Sequence, residues 1–557
     1  MRLLMASTDT NLVPWRRHRA GSDPLTYPAH RPANRMLTRR WLGLSLGLLV
    51  VLVLAGVIVA LSRSGGPQRR VPRPTAPAPA RPDIVFVLTD DLSMDLLRFM
   101  PHVLAMEHDG LSFKNYYVSD SLCCPSRASI FTGDFPHDTG VFSNFGPGGG
   151  FNAFYKHHDE LHTFPIALQR VGYVTAMMGK YLNGYLESSG NSADGQVASV
   201  PSSYVPPGFS EWDVAGWGYN EFDYNLSQNG KIHYYGHRPS DYLTDVIARD
   251  GVQFINRAAR NRKPFFLELG TFAPHSPYVP APQDAHEFPG LKAPRPPNFD
   301  VLPTDPPRWL AAHRRPLTGR QVANINHAFR LRAQSVQAVD RTIGDIEQAL
   351  AADGVARDTY LIFSSDNGLH TGEYRLMPGK LTAFDTDIHV PLVVVGPGVP
   401  AGRTTAAMAE NIDLAKTFTA IGGTTIRSDG HSLLGLMHGR NPTGWRDAIL
   451  VEHHGGRMSV LDPDYQPSAS GSPTTYEAMR TPWFLYVEYA DGEREFYDLL
   501  RDPFELHNLA ADLTSSQLAL LHSELTRLEH CHGGRQCWAA MHVKRPSSIN
   551  DPPGRTT

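Results

Sequence analysis

The strongest constraint on the fold of this chain is a pattern used four times: a short apolar run, too brief for a buried helix, that ends abruptly in polar residues. Ile84 to Leu88, in "DIVFVLTDD", runs into Asp90 and Asp91; Tyr360 to Phe363, in "TYLIFSSDNG", runs into Asp366 and Asn367. Phe265 to Leu269, in "PFFLELGTFAPHSP", is followed by His275, and the run after Gly172 leaves at Lys180. Such runs read as strands covered on both faces, as in a parallel sheet between layers of helix. Helical segments lie between them. Thr163 caps "TFPIALQR", which stops near Gly172, and Phe329, Ala333, Val336, Val339, Ile343, Ile346 and Leu350 share one helical face. The predicted class is α/β. In an open sheet of this kind, sites are built at the carboxyl ends of the strands, and all four polar exits fall there.

Taken singly, each exit has an ordinary explanation. An aspartate pair after a strand is usually a turn or a cap, Ser-Asp-Asn-Gly makes a good turn, and Lys180, Lys380 and His275 suit solvated loops. Together, Asp90, Asp91, Asp366 and Asn367 form an oxygen-only cluster with cations around it. Hard ligands of this kind suit calcium, with magnesium as the second choice, whereas zinc sites recruit histidine or cysteine. Asn367 occupies the position where a zinc phosphodiesterase of similar layout would place histidine, which points to calcium.

The chain has 557 residues, enough for a large core and two subdomains, and its net charge of -3 argues against nucleic acid as a general partner. Trp41 to Leu61 is an uncharged apolar run long enough to cross a bilayer, and Arg39 and Arg40 precede it. The positive-inside rule then keeps the N-terminus in the cytoplasm and sends the remainder across. The expected organisation is a cytoplasmic, disordered segment 1–40, a transmembrane signal anchor 41–61, a proline-rich stalk 62–81, a catalytic domain 82–441, a C-terminal subdomain 442–538 and a disordered tail 539–557. This describes a single-pass cell-membrane protein with its catalytic domain outside the cytoplasm. The alternative is a secreted protein, cleaved after the small residues of "VIVALS". Translation from Met36 would leave "MLTRR" as the n-region of the signal.

Of four cysteines, two are adjacent: Cys123 and Cys124, in "SLCCPSRASIFTG". One peptide bond holds their α-carbons too close for ordinary bridge geometry, so they are free thiols, metal ligands or a processed residue. Cys531 and Cys537, in "CHGGRQC", close a short loop that fits a disulfide in an oxidising compartment. A zinc knuckle with His530 and His532 is the rival, but its spacing fits no standard zinc pattern.

The stretch "CCPSRASIFTG" resembles the signature of the type I sulfatases, in which the cysteine of a CxPSR motif followed by a Thr-Gly pair is oxidised to formylglycine. The match makes Cys123 the modified residue and Cys124 the variable position, with Pro125, Ser126, Arg127, Thr132 and Gly133 completing the signature. "LTDD", "GKYLN", "APHSP", "SDNG" and "GKLTAFDTDIHVPLVVVGPG" are similar to sulfatase blocks in the expected order, from about Pro82 to about Ala510. Within the family, "SLCCPSRASI", "GKYLN" and "APHSP" look closest to the N-acetylglucosamine-6-sulfatase and related glycosaminoglycan sulfatase branch.

The resemblance implies an alkaline-phosphatase-like sandwich: a large mixed, mostly parallel central sheet flanked by helices, plus a smaller C-terminal antiparallel sheet. It implies that Asp90, Asp91, Asp366 and Asn367 hold calcium together with modified Cys123, and that Arg127 steadies the hydrated aldehyde. Lys180, His275 and Lys380 would bind the sulfate oxygens, and His275 or Lys380 would protonate the leaving alcohol. One hydroxyl of the hydrate attacks sulfur, and the other then expels sulfate by breaking the carbon–oxygen bond. The implied substrates are sulfated carbohydrates or aryl sulfates, and the implied maturation partner is a formylglycine-generating enzyme. One departure stands out. Many sulfatases read GKWHxG and use that histidine in sulfate elimination, whereas "GKYLN" puts Leu182 there and leaves Asn183 or water as the substitute.

Two rival readings accompany this one: a phosphonate or phosphodiester hydrolase of the same superfamily, and a non-catalytic, surface-anchored binder of sulfated glycans. The C-terminal "WFLYVEYADGEREFYDL" alternates as a hairpin, with "SSQLALLHSELTRLEH" as a helix beside it. His453 and His454 could reach the cleft but read first as exposed loop residues. The proline-rich insertion 280–316 is the segment expected to help select the substrate.

Overall fold

Strand β1, Asp83–Thr89, is buried along its whole length and serves two cores at once. Ile84, Phe86 and Leu88 face one, and Val85 and Val87 face the other, as alternation in a strand requires. The computed structural model describes residues 81–186, 200–456, 458–460 and 462–546. Following β1 in the chain are β2 (Leu111–Tyr117), β3 (Val174–Lys180), β4 (Glu211–Ala215), β5 (Tyr224–Gln228) and β6 (Lys231–Tyr235). Next come β7 (Phe265–Gly270), β8 (Thr359–Ser365), β9 (Leu392–Val395) and β10 (Arg403–Glu410). Among the described residues these form one sheet in the order β10-β2-β9-β8-β1-β7-β3-β4-β5-β6. β8, β1, β7, β3 and β4 run parallel, as do β2 and β10; β9, β5 and β6 pair antiparallel with their neighbours.

The four apolar runs of the sequence are thus the four adjacent strands β8, β1, β7 and β3, and their polar exits share one edge. Glu268 interrupts β7. It is fully buried with no hydrogen-bond partner on its carboxylate, and burial pushes its pKa up to about 8, so it is neutral at pH 7.

Helices cover both faces. Helix α1, Cys123–Thr132, lies on the first face with all ten residues buried, and Cys124, Ala128, Ile130 and Phe131 join that core. It stops at Gly133, whose φ of 79° needs glycine and where a Cβ would sit 2.7 Å from Ser428 Cβ. Helices α2 (Leu243–Arg260) and α3 (Gly319–Ala352) cover the second face. Thr318 caps α3 by accepting from Gln321 N, and the Gln321 side chain returns to the Thr318 backbone. All seven residues of the predicted helical face are buried in the second core. Thr163 does stand at the cap position of the helix Phe164–Arg170, but its hydroxyl donates to Glu160 O instead of accepting from the helix.

The C-terminal part builds an antiparallel sheet from β11 (Ile449–His453), β12 (Tyr476–Arg480), β13 (Phe484–Tyr489) and β14 (Arg494–Asp498). Helix α4, Ser515–Glu529, packs beside it, and Cys531 and Cys537 form a disulfide within the same core. That bond removes the zinc-knuckle reading. A helix spans Gly534–Ala540, and Met541 and Val543 are buried in the C-terminal core, so these residues are not part of the tail expected from residue 539; residues 547–557 lie outside the described residues. Among the described residues no helix is long and apolar enough to cross a membrane. The predicted cytoplasmic segment and anchor, and all but the last residue of the stalk, lie outside the described residues.

Candidate active site

The exits of β1 and β8 meet because the two strands pair in register from Asp83–Thr359 to Thr89–Ser365. Asp91 N donates to Asp366 Oδ1 at 3.2 Å, and Asn367 Nδ2 donates to Asp91 Oδ1 at 2.7 Å. Asp90, Asp91, Asp366 and Asn367 are all buried. The other polar atom of Asn367, Oδ1, is buried without a partner. An orphaned amide oxygen beside three carboxylates is the donor set of a hard divalent cation, so the residues fit the metal that the sequence called for.

Helix α1 brings Cys123 to this cradle at its first turn, where the helix dipole favours negative charge. Cys123 Sγ lies 3.1 Å from Asp90 Oδ1 and 3.0 Å from Lys380 Nζ. Four residues on, Arg127 is wholly buried; its Nε donates to Asp366 Oδ2 at 2.7 Å and its Nη1 to Lys180 O at 3.0 Å. Arg127 Nη2 is buried without a partner, one spare donor four residues from Cys123 on the same helix. As a plain thiol Cys123 would be inert: burial, with Asp464 and Asp90 nearby, pushes its pKa well above the usual thiol range. Cys124 points the other way into the core and accepts from Asn183 N at 3.1 Å.

The predicted cations converge on the same point. Lys180 forms a salt bridge with Asp90, and Lys380 Nζ lies 2.6 Å from Asp91 Oδ1. His275, between the cis peptides Ala273–Pro274 and Ser276–Pro277, directs Nδ1 at Ser276 O (2.7 Å) and Nε2 at Asp464 Oδ1 (2.6 Å). Both ring nitrogens therefore face acceptors, which requires a proton on each. Consistently, although burial works against the charge, Asp91, Asp464 and Asp90 raise the His275 pKa to about 9. Asp90 is pushed up by burial to about 6, with Lys180 opposing. For Asp366, burial is outweighed by Arg127, Lys180 and Lys380, which hold it down to about 2.

Three contributors were not singled out in the sequence. Asp464, on the loop between β11 and β12, accepts from Lys380 Nζ and His275 Nε2, both at 2.6 Å, and lies 3.3 Å from Cys123 Sγ. Asn144 Nδ2 donates to its other oxygen at 2.5 Å. Arg332 reaches in from α3 and donates to Asp91 O. "LDPDYQ" reads as a turn, "FSNF" as a loop, and Arg332 as one more helical arginine; only a search for charge among buried helix positions would have flagged the last. Leu182 is buried in the core and offers no acid or base. Asn183 Oδ1 is taken by the Tyr219 hydroxyl at 3.1 Å. Asp464 is a polar group that approaches Cys123 from outside the acidic cradle and the lysines.

A cavity of about 270 Å³ is lined by Leu122 and Leu381, the chain neighbours of Cys123 and Lys380, and by Phe142, His453, His454 and Asp462, whereas Cys123, Lys180, His275 and Lys380 do not line it. His453 is buried rather than exposed, and the His454 ring stacks on Phe142 with centroids 3.5 Å apart. None of the lining residues comes from 280–316. That insertion packs elsewhere, with Trp309 Nε1 donating to the Tyr489 hydroxyl at 3.0 Å.

Comparison with known proteins agrees with this geometry. The family model described as Sulfatase matches residues 82–424, and the one described as N-sulphoglucosamine sulphohydrolase, C-terminal, matches residues 372–531. The N-acetylglucosamine-6-sulfatase of Capra hircus is 34% identical over 480 residues, covering 81% of this chain and 84% of its own length. Among solved structures, a protein in complex with its substrate D-glucosamine-2-N,6-O-disulfate has TM-score 0.61 at 23% identity, covering 81% of this chain and 97% of that one. The phosphonate monoester hydrolase of Agrobacterium radiobacter has TM-score 0.59 at 22% identity, covering 80% and 94%. These two likenesses concern the fold.

Proposed function

The chain belongs to the sulfatase family and is a sulfuric ester hydrolase acting on sulfated sugars, and on that premise we propose that it removes sulfate from sulfated glucosamines, the 6-sulfate foremost, using formylglycine made from Cys123 and a calcium ion. The observation that carries this reading is the surroundings of Cys123 Sγ: an acidic cradle on one side, a lysine at 3.0 Å on the other, and a thiol too buried to ionise. When bound, the cation supplies Lewis acidity and the oxidised residue supplies an oxygen nucleophile. Asp90, Asp91, Asp366 and Asn367 would hold the cation, with magnesium as the alternative.

The remaining residues have separable tasks. Arg127 keeps Asp366 ionised and has in Nη2 a spare buried donor that would steady the hydrate at residue 123. Lys180, Lys380 and His275 neutralise the sulfate oxygens as negative charge shifts toward the leaving group. His275 carries a proton on Nε2 that it can give to the departing alcohol, and Lys380 is the second candidate for that proton. The neighbouring cavity, with Phe142 stacked on His454, supports recognition of a sugar ring.

The disulfide between Cys531 and Cys537 supports maturation outside the cytoplasm, in line with an anchor at residues 41–61 and a catalytic domain beyond the membrane. Because α1 is wholly buried, Cys123 must meet a formylglycine-generating enzyme before folding is complete. The test is mass spectrometry of the alkylated tryptic peptide "NYYVSDSLCCPSR", Asn115 to Arg127, from chain produced with that enzyme, alongside sulfate release from glucosamine 6-sulfate. We expect one aldehyde at Cys123, one alkylated thiol at Cys124, and turnover that needs the aldehyde. Two alkylated thiols together with full turnover would refute the proposed nucleophile.

A further inference from the structure

A carboxylate at the place where a substrate anion must bind demands an explanation. Asp464 is buried, and its contacts are with the groups that would hold sulfate: Lys380 Nζ and His275 Nε2, each at 2.6 Å, with Cys123 Sγ at 3.3 Å. It is not a swinging group. Asn144 Nδ2 pins its second oxygen at 2.5 Å, and the loop that follows is tied down: Gln466 Oε1 accepts from Lys380 N at 3.2 Å, Ala469 O from Met377 N at 2.8 Å, and Ser470 O faces His370 Nε2 at 2.9 Å.

Its position shows what such a fixed anion does. Lys380 and His275, the cations that would meet the ester, already face the Asp464 carboxylate, while Lys180 and Arg127 face Asp90 and Asp366. Each negative charge that an ester brings here is repelled by that carboxylate, so a dianionic ester meets twice the repulsion of a monoanionic one in a water-poor site. Sulfate monoesters and phosphate diesters carry one charge at neutral pH, whereas phosphate monoesters carry close to two. The fold does not choose between sulfur and phosphorus, since a phosphonate monoester hydrolase shares it.

We propose that Asp464 is a specificity-determining residue that sets the charge of the site, admitting monoanionic esters and rejecting dianionic phosphate monoesters. This rests on the sulfatase reading of the same site. A reacting sulfur or phosphorus sits about 3–3.5 Å from its nucleophile, and with Cys123 Sγ 3.3 Å from the Asp464 carboxylate this puts it within about 7 Å of that carboxylate. One extra unit of charge at that distance, at an effective dielectric of about 20, disfavours the dianion on the order of 10²-fold.

The experiment compares phenyl sulfate, methyl phenyl phosphate and phenyl phosphate on the full chain and on Asp464→Asn. Binding is read by calorimetry on protein with Cys123 left unconverted, and kcat/KM on converted protein. In Asp464→Asn, phenyl phosphate should gain on the order of 10²-fold relative to phenyl sulfate, while the ratio of the two monoanions stays put. Asp464→Glu, which keeps the charge, should keep the discrimination, and it also answers the question if Asp464→Asn fails to fold: a Glu variant that folds and accepts phenyl phosphate overturns the proposal. An unchanged sulfate-to-phosphate ratio in Asp464→Asn, or an equal gain for all three esters, also overturns it. If converted wild type neither binds nor hydrolyses phenyl sulfate while hydrolysing phenyl phosphate, the sulfatase reading itself falls, and this inference with it.

Discussion

Replacing Arg127 by methionine should destabilise the chain by about 3 kcal/mol at pH 7, because it strands a buried carboxylate. The guanidinium and Asp366 are both fully buried, with Nε 2.7 Å from Oδ2, and a second donor, Nη1, serves Lys180 O at 3.0 Å. Burial alone would raise the Asp366 pKa; Arg127 above all, then Lys180 and Lys380, hold it down to about 2 from 3.8. A depression of that size corresponds to about 2.5 kcal/mol, and breaking one side of a buried pair costs about 3–5 kcal/mol in general. Methionine fills most of the vacated space, so little of the loss should come from a cavity. A depressed carboxylate contributes stability above its unfolded pKa, about 4, and loses it as the pH falls toward 2. Wild type and variant should therefore differ from neutral pH down to about pH 5 and converge in stronger acid. Urea denaturation followed by circular dichroism, at several pH values, measures this. Added calcium should shrink the penalty and a chelator enlarge it, since a divalent cation in the cradle would neutralise part of the stranded charge. A loss below about 1 kcal/mol at pH 7, or one unchanged in acid, would refute the reasoning.

Two further outcomes follow from other parts of the molecule. Gly179 has φ +94° and a Cβ there would lie 2.0 Å from Gly270 O, so Gly179→Ala should cost about 2–4 kcal/mol and disturb the adjacent Lys180; an unchanged melting temperature would contradict this. His137, on the short helix Pro136–Thr139 that follows α1, is tied to the C-terminal part by facing Glu452 Oε1 at 2.9 Å and Cys531 O at 2.8 Å. Burial opposes its charge, but Glu452 and the Cys531 carbonyl raise its pKa to about 9. Glu452 is itself pushed up by burial, which offsets part of the gain, so His137→Gln should cost about 2 kcal/mol at pH 6. That contribution is fully present below the unfolded histidine pKa and disappears as the pH rises through about 9, so denaturation curves of the two proteins should merge in alkali.

Much of this architecture is local. The strands β1 and β8, and β7 despite Glu268, announce themselves because a parallel strand covered on both faces needs a nearly continuous apolar run. Helix α3 announces its buried face because seven apolar residues recur at helical spacing. The oxygen-only ligand set was legible because strand exits are few and their residue types are chemically narrow. Other readings failed where a local pattern has more than one outcome. His453 is a polar residue at the end of an apolar strand, and nothing in "VEHHGG" tells whether the second sheet will cover it. The insertion 280–316 drew attention because it is rich in proline and aromatic residues, and nothing in those residues announces that Trp309 will find a partner in β13.

By itself, then, the sequence determined which segments become strands, which edge of the sheet carries the polar exits, and which cysteine stands at the head of a helix. These follow from periodicity and from residue chemistry acting over a few positions. The tertiary structure alone decided that Asp464, 341 residues beyond Cys123, would come to rest against it, and that Asn144 and Arg332 would support the centre. Such contacts depend on where a loop returns after the core has formed, and the residues of that loop carry no local mark of the partners they will meet.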